Sequence, residues 1–271
     1  CAHYVGDYTA SVTDVGMNKP FMAMVSITAD DAGCTVAGNG IPNHDFNDGG
    51  AFATPVAEVM ESYHVTRTPS DAAAPTGLTL ERDNAIMRNG VKLDLLAAAC
   101  YGVGPDPLGQ EKIGCMSSDI PWRYDPMTNF FGTDGHNAHT QPDGGYHYHG
   151  DPKAMVDQSG ATVSGLIGWA ADGYPIYGPY FDDNGTIRKA KSGFTLKQGA
   201  RTNQPGEGAF PGGSYDGTFI DDYEFTGAGD LDECNGMSVD GVYGYYVTDS
   251  YPWVIRCFKG TPDASFNKSM P

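Results

Sequence analysis

Apolar and polar residues alternate through KPFMAMVSITADDAGCTVAGNGIPNHDF, residues 19–46, and the alternation is broken wherever Gly, Asn or Pro intervenes. This pattern predicts two or three strands joined by tight turns in the first block, to about residue 50. Residues 56–67, VAEVMESYHVTR, fit two periods. Val59, Tyr63 and Val65 recur every second residue, whereas Val56, Val59, Met60 and Tyr63 fit a helical face; a strand is the preferred reading. TPSDAAAPTG (68–77) reads as a loop, and NAIMRNGVKLD (84–94) as strand, turn and strand. From 94 to 119 the chain starts with one short helical turn and continues as a loop bracketed by Cys100 and Cys115. Asp151 and Pro152 resemble an N-cap and first-turn pair opening a short helix. GLIGWAADGYPIYGPYF (165–181) predicts a strand, a turn and a strand, residues 188–229 an insertion or long surface loop, and GVYGYYVTDSYPWVIRCFKG (241–260) strands rich in aromatics.

These elements predict a mainly β chain, a β-sandwich-like or multi-sheet single domain with long loops and one or two short helices. Residues 1–20 read as an N-terminal arm, a candidate strand for donation to a neighbour, and 21–271 as one β domain. Composition supports this, since 37 Gly, 18 Pro and 16 Tyr suit short strands and many turns, and a hydrophobic fraction of 40% suffices for a core.

Charge and cysteine usage narrow the function classes. With 34 acidic against 16 basic residues and a net charge of -18, the chain repels a phosphate backbone, which excludes nucleic acid as the expected partner. Its longest apolar runs, FMAMVSI and SGLIGWAA, are strand-sized, far short of the roughly 18 residues that a spanning helix needs. Six cysteines without a C-x-x-C pair predict three disulfides and an oxidising compartment, with Cys100–Cys115 and Cys234–Cys257 paired by proximity. The sequons at Asn184 and Asn267 agree with export and mark candidate glycan sites. The chain begins at Cys1, the expected result of signal-peptide removal. Lipidation of Cys1 is the less favoured alternative, because it leaves an odd number of thiols.

The candidate chemistry lies in DGHNAHTQPDGGYHYH, residues 134–149, which holds four of the seven histidines. On a strand, residues i and i+2 share a face with Cα atoms about 6.6 Å apart, so His147 and His149 can converge on one ion while Tyr146 and Tyr148 face the other way. His136, His139 or Asp134 would complete the set. Imidazole suits transition metals, copper or zinc first, and a carboxylate ligand would tilt the choice away from Cu(I). Two blander readings stand beside this one: aromatic and imidazole packing in a β core, and metal-free acid/base chemistry. Asp172, in the DGYPIYGP turn, is held in reserve as a carboxylate that would buttress a ligating histidine from behind, and the hydroxyls of Tyr146 and Tyr148 are held in reserve for the same part. No G-x-S-x-G elbow is present, because Asp216 stands where GGSYDG would need the last Gly. DLDECNG fails as an EF-hand, with Gly241 where a bidentate Glu is required, so Asp230, Asp232 and Glu233 are a candidate calcium loop of another kind or a solvated acidic turn.

GGYHYHG, IGWAADGYPIYGP, LDECNG and GVYGYYVTDSYPW, in that order, resemble the YHYH-domain proteins, as do the upstream pieces NGIPNHDF, RNGVKLD and PWRYDP. The resemblance implies an exported protein and metal binding by the YHYH histidines. One departure is that related proteins often carry a second histidine-bearing Tyr-x-Tyr element near the C-terminus, where this chain has Gly244 and Tyr246. A site must therefore be built around residues 134–149. Three functions fit: an exported or cell-surface metal-binding β protein, a structural subunit of an extracellular homopolymer, and a metallohydrolase or metal-dependent oxidase.

Overall fold

The computed structural model describes residues 1–104, 114–129, 131–206 and 208–268. The chain opens with β1 (Gly6–Asp14), β2 (Lys19–Ala29), β3 (Gly33–Gly38) and β4 (Glu61–Thr66), which follow each other as a four-stranded antiparallel sheet. Further strands are β5 (Asp71–Gly77), β6 (Ala85–Met87), β7 (Lys92–Leu93), β8 (Ala138–Thr140), β9 (Tyr146–Tyr148), β10 (Leu166–Ala170) and β11 (Pro175–Tyr177). Then come β12 (Tyr180–Asp183), β13 (Thr186–Lys189), β14 (Phe194–Leu196), β15 (Tyr223–Phe225), β16 (Gly236–Val239), β17 (Val242–Tyr246) and β18 (Cys257–Gly260). An eight-stranded sheet runs in the order β16-β17-β11-β10-β6-β7-β9-β8, and β12–β13, β14–β15 and β18–β5 form two-stranded ribbons. The chain is thus mainly β and multi-sheet, its helical content restricted to 3-10 turns among the described residues.

Alternation explains the inner faces. In β2, Ala23, Val25 and Ile27 are buried while Met22 and Met24 are exposed, the signature of a sheet with one covered face. Those inner residues join Val12, Val36, Tyr63 and Val65 in one core with Ile86, Met87, Leu93, Ile167 and Ile176 of the large sheet. Gly90 makes the close approach possible. It sits at φ +82° in the β6–β7 turn, where a Cβ would lie 3.0 Å from the Cβ of Val25. In β4 the period-two reading of Tyr63 and Val65 holds, both being buried.

Three disulfides close the fold: Cys100–Cys115 and Cys234–Cys257, as their proximity suggests, and Cys1–Cys34. The sulfur of Cys1 is thereby committed, which removes the thiol that lipidation would require.

Several local readings change. TPSDAAAPTG is no loop, because Asp71–Gly77 pairs with Cys257–Gly260; Pro75 fits since the ribbon has only two strands and an edge needs no N–H there. The segment from Asp94 has no helical turn, because Cys115, Tyr124 and Asp94 itself bond across to other segments: Cys115 N–H donates to Ala98 O, Tyr124 N–H to Ala99 O and Asp94 N–H to Tyr148 O. Leu95, Ala97 and Ala99 are accordingly buried at every second position. The inner part of the Cys100–Cys115 loop, 105–113, lies outside the described residues. Asp151 caps nothing; a 3-10 turn over Lys153–Met155 starts after Pro152. Residues 188–229 hold β14, β15 and a 3-10 turn over Ile220–Asp222, organised around buried Asp222 and its ion pair with Arg201.

Asp172 anchors the far end of the large sheet. Its carboxylate accepts from Tyr245 Oη at 2.6 Å, Gly260 N at 2.9 Å and Tyr174 N at 3.2 Å, tying β17 and β18 to the turn after β10. Asp172→Ala strands these buried donors, and should lower unfolding free energy by about 3 kcal/mol in urea titrations. A loss under about 0.5 kcal/mol, the scale of an ordinary surface change, would refute that structural role.

Candidate metal centre

The β8–β9 hairpin places the site. Its loop turns at Gln141–Gly145, where Gly144 N–H donates to Gln141 O and Gln141 N–H to Gly145 O, both at 2.9 Å. Pro142 presets the turn, and Gly144, at φ +87°, takes a conformation that a side chain would oppose while its backbone passes Pro55 and Ala57. The hairpin register sets His139 directly opposite His147, so their imidazoles emerge as a cross-strand pair on one face. His149, just beyond β9, adds the i+2 partner on the same side, held by its N–H to Asn137 O at 2.8 Å.

Three Nε2 atoms consequently converge. His149 Nε2 lies 3.0 Å from His147 Nε2 and 2.9 Å from His139 Nε2. All three residues are only 3% exposed. On the outer side of two rings a backbone carbonyl stands in reach of Nδ1: Phe131 O at 2.6 Å from His139 and Gly145 O at 3.4 Å from His147. Such carbonyls fix the tautomer that carries its proton on Nδ1 and aims the Nε2 lone pair inward.

Proton counting then becomes decisive. His149 Nε2 takes part in both close contacts but holds at most one proton, so neutral rings make one linear N–H···N bond and leave the second close N···N contact with no proton between its nitrogens. A cation satisfies all three nitrogens at once. Two nitrogens bound to one ion at about 2.0–2.1 Å stand about 2.9 Å apart at a right angle and about 3.4 Å at the tetrahedral angle, the range into which the observed separations fall. Burial holds the pKa of His139 below the ordinary imidazole value and those of His147 and His149 well below it, so the rings stay neutral, the state that ligates metal.

The other expected residues are elsewhere. Asp134 and His136 are outside this cluster. Asp134 accepts from Asn47 N–H, Tyr146 Oη, His136 N–H and Ala138 N–H, closing the loop that leads into β8. The His136 ring packs on His44, centroids 4.1 Å apart, and His44 Nε2 meets Tyr148 Oη at 2.8 Å. Tyr146 and Tyr148 lie on the opposite face of β9 from His147, and Asp172 has Tyr245, Gly260 and Tyr174 as its partners. Two carboxylates of the acidic turn are engaged by the chain's own donors: Asp230 by Arg188 and Lys191 N–H, Asp232 by Cys234 N–H, Gly236 N–H and Tyr243 Oη. Among the described residues, the three histidines are the group that brings metal-ligating atoms together.

The model of the YHYH protein family matches residues 62–260, well over half of the chain. The chain belongs to the YHYH protein family. No curated protein and no solved structure matches it. In this YHYH protein the two histidines of the motif supply two of the three converging nitrogens, and the third comes from the strand before it. Sequence reasoning missed His44, whose ring joins the tyrosine face from 104 residues upstream of Tyr148. It also missed Lys92, opposite His147 in the parallel β7–β9 ladder. Only their places in NGIPNHDF and RNGVKLD hinted at either.

Depressed histidine pKa values fix the sign of a pH effect. Between the folded and unfolded values the unfolded chain binds protons that the folded chain refuses, so stability falls as pH drops below about 6.5. Asp83 and Asp125, raised by burial to about 6, oppose this slope, which makes a variant comparison necessary. In metal-free protein, urea titrations from pH 6 to pH 5 should show wild type losing stability relative to His147→Gln/His149→Gln by about 1.4 kcal/mol per pH unit for each histidine removed. Parallel profiles would contradict the buried neutral triad.

Proposed function

We propose that this chain is an exported metal-binding β protein whose site is His139, His147 and His149, holding copper or zinc. The convergence of three buried Nε2 atoms carries the reading. A ligand set of imidazoles without a carboxylate in the cluster favours these two ions over magnesium, calcium or manganese. Near-complete burial of the ligands supports retention of an ion in a binding or structural role more than turnover on a substrate, which needs an open coordination position.

Three disulfides support an oxidising, extracellular setting, and among the described residues no helix is long and apolar enough to cross a membrane. Asn184, exposed at the tip of the β12–β13 hairpin, is the better glycan site of the two sequons. Self-assembly is the second reading, and one observation favours it: β1 is a nine-residue edge strand of the four-stranded sheet, able to pair with a neighbour.

Elemental analysis by mass spectrometry of untagged protein, purified without added metal, should return near one equivalent of copper or zinc. The ion should be lost from His147→Ala/His149→Ala and from His139→Ala, and kept by His136→Ala. Metal-free wild type that takes up neither ion on titration would refute the site, and loss in His136→Ala would redraw it.

A further inference from the structure

Between the first hairpin and the β6–β7 turn lies a cavity of ≈ 400 Å³. Its floor is the inner face of the first hairpin, where Ala10 and Ala23 are cross-strand partners and leave open the space that larger side chains would fill. The walls are Tyr4, Tyr8, the Arg88–Asn89 turn between β6 and β7, Asn43 and the 3-10 turn bearing Ala154 and Met155. Asn89 also donates to Tyr148 Oη at 3.0 Å, so one wall is fixed to the motif strand.

Arg88 is the cation in this lining. Its guanidinium lies 3.9 Å over the Tyr4 ring, and Nη1 donates to Leu166 O at 3.1 Å. That leaves the Nε–Nη2 edge without a hydrogen bond among the described residues, and Arg88 without an ion pair there. Other arginines find their partners within the chain: Arg188 pairs with Asp183 and Asp230, Arg201 with Asp216 and Asp222, and buried Arg123 donates to the carbonyls of Ala97, Cys115 and Ser117. In a chain with 34 acidic and 16 basic residues, what distinguishes Arg88 is an open donor edge on a half-buried arginine that lines a cavity, a feature suited to an anion from outside.

We propose that this cavity binds a small organic carboxylate, with the planar headgroup side-on to the Nε–Nη2 edge of Arg88 and the apolar body against Ala10, Ala23 and Met155. Bidentate pairing matches that edge to a carboxylate. A single lining cation, within a protein of net charge -18, disfavours dianions such as phosphate monoesters. Asn43 adds polar selectivity, because its Nδ2 has no partner among the described residues while its Oδ1 accepts from Asn89 Nδ2 at 3.3 Å. The inference is independent of the metal site.

The test is calorimetry and ligand-observed NMR with octanoate and phenylacetate, beside octanamide and phenylacetamide as neutral matches. The carboxylates should bind saturably with Kd of about 1 mM or tighter. The amides, and the carboxylates on Arg88→Gln, should bind at least about tenfold more weakly, the loss expected for a charged hydrogen-bonded pair. Ala154→Trp obstructs the cavity from an exposed position where folding is not at stake, and should weaken the carboxylates similarly with Arg88 intact. Equal binding of carboxylates and amides, unchanged binding by folded Arg88→Gln or by Ala154→Trp, or no saturable carboxylate binding would each overturn the proposal.

Discussion

The register of the short β8–β9 ladder is the constraint on which the centre of the molecule depends. Side chains alternate across a strand, so a slip of one residue would exchange the tyrosine and histidine faces. Neither face tolerates the exchange. Tyr146 and Tyr148 need Asp134, Asn89 and His44 as partners for their hydroxyls, while His147 needs His139 opposite it and His149 beside it. Pro142 and Gly144 in the connecting turn, Asp134 across the entry loop and the parallel seam with β7 all oppose that slip. An alternation of Tyr and His is therefore read twice, once by the core and once by the ligand cluster.

Much of this was legible in the chain, for identifiable reasons. The i, i+2 spacing of His147 and His149 needs only strand geometry, and the exposed and buried sides of β2 follow from alternation. His139 was legible as a candidate but not as a cross-strand partner, because pairing depends on the length of the turn. Asp134 and His136 stand apart from the three converging nitrogens, because nearness in sequence to the histidines says nothing about which face a loop residue meets. The strand over Asp71–Gly77 was invisible because its residues are mostly exposed and carry no apolar alternation; its partner, β18, is about 180 residues away. His44 needed a contact of similarly long range.

The family match begins at residue 62, which leaves β1–β3 outside it, yet these strands are not an appendage. They share one core with the large sheet, Cys1 is bridged to Cys34 in β3, and the hairpin supplies the floor of the Arg88 cavity. The division of labour has a physical basis. A short, buried ladder fixes the histidines, whereas the open inner face of the N-terminal hairpin, with small residues at Ala10 and Ala23, leaves space beside the β6–β7 turn, whose Asn89 bonds Tyr148 of the motif strand.

Charge near the histidines completes the picture. Lys92, facing His147 in the ladder, pairs with Glu61 at 2.6 Å, and Lys268 binds Asp94 and stands 3.6 Å from Asp83. Three carboxylates against two ammonium groups leave an excess of one negative charge in a buried region, and among the described residues Oδ1 of both Asp83 and Asp94 lacks a hydrogen-bond partner. Burial raises Asp83 to about 6, against the pull of the Lys92 and Lys268 ammoniums, which favour its ionised form. A divalent ion held by three neutral imidazoles brings positive charge into the same low-dielectric neighbourhood, where unpaired ions are costly. The carboxylate excess offsets part of that cost, and the ion in turn favours the ionised form of Asp83. An ion at the three imidazoles would therefore be coupled to the charge state of this cluster, stabilising the surplus carboxylate as the carboxylate stabilises it.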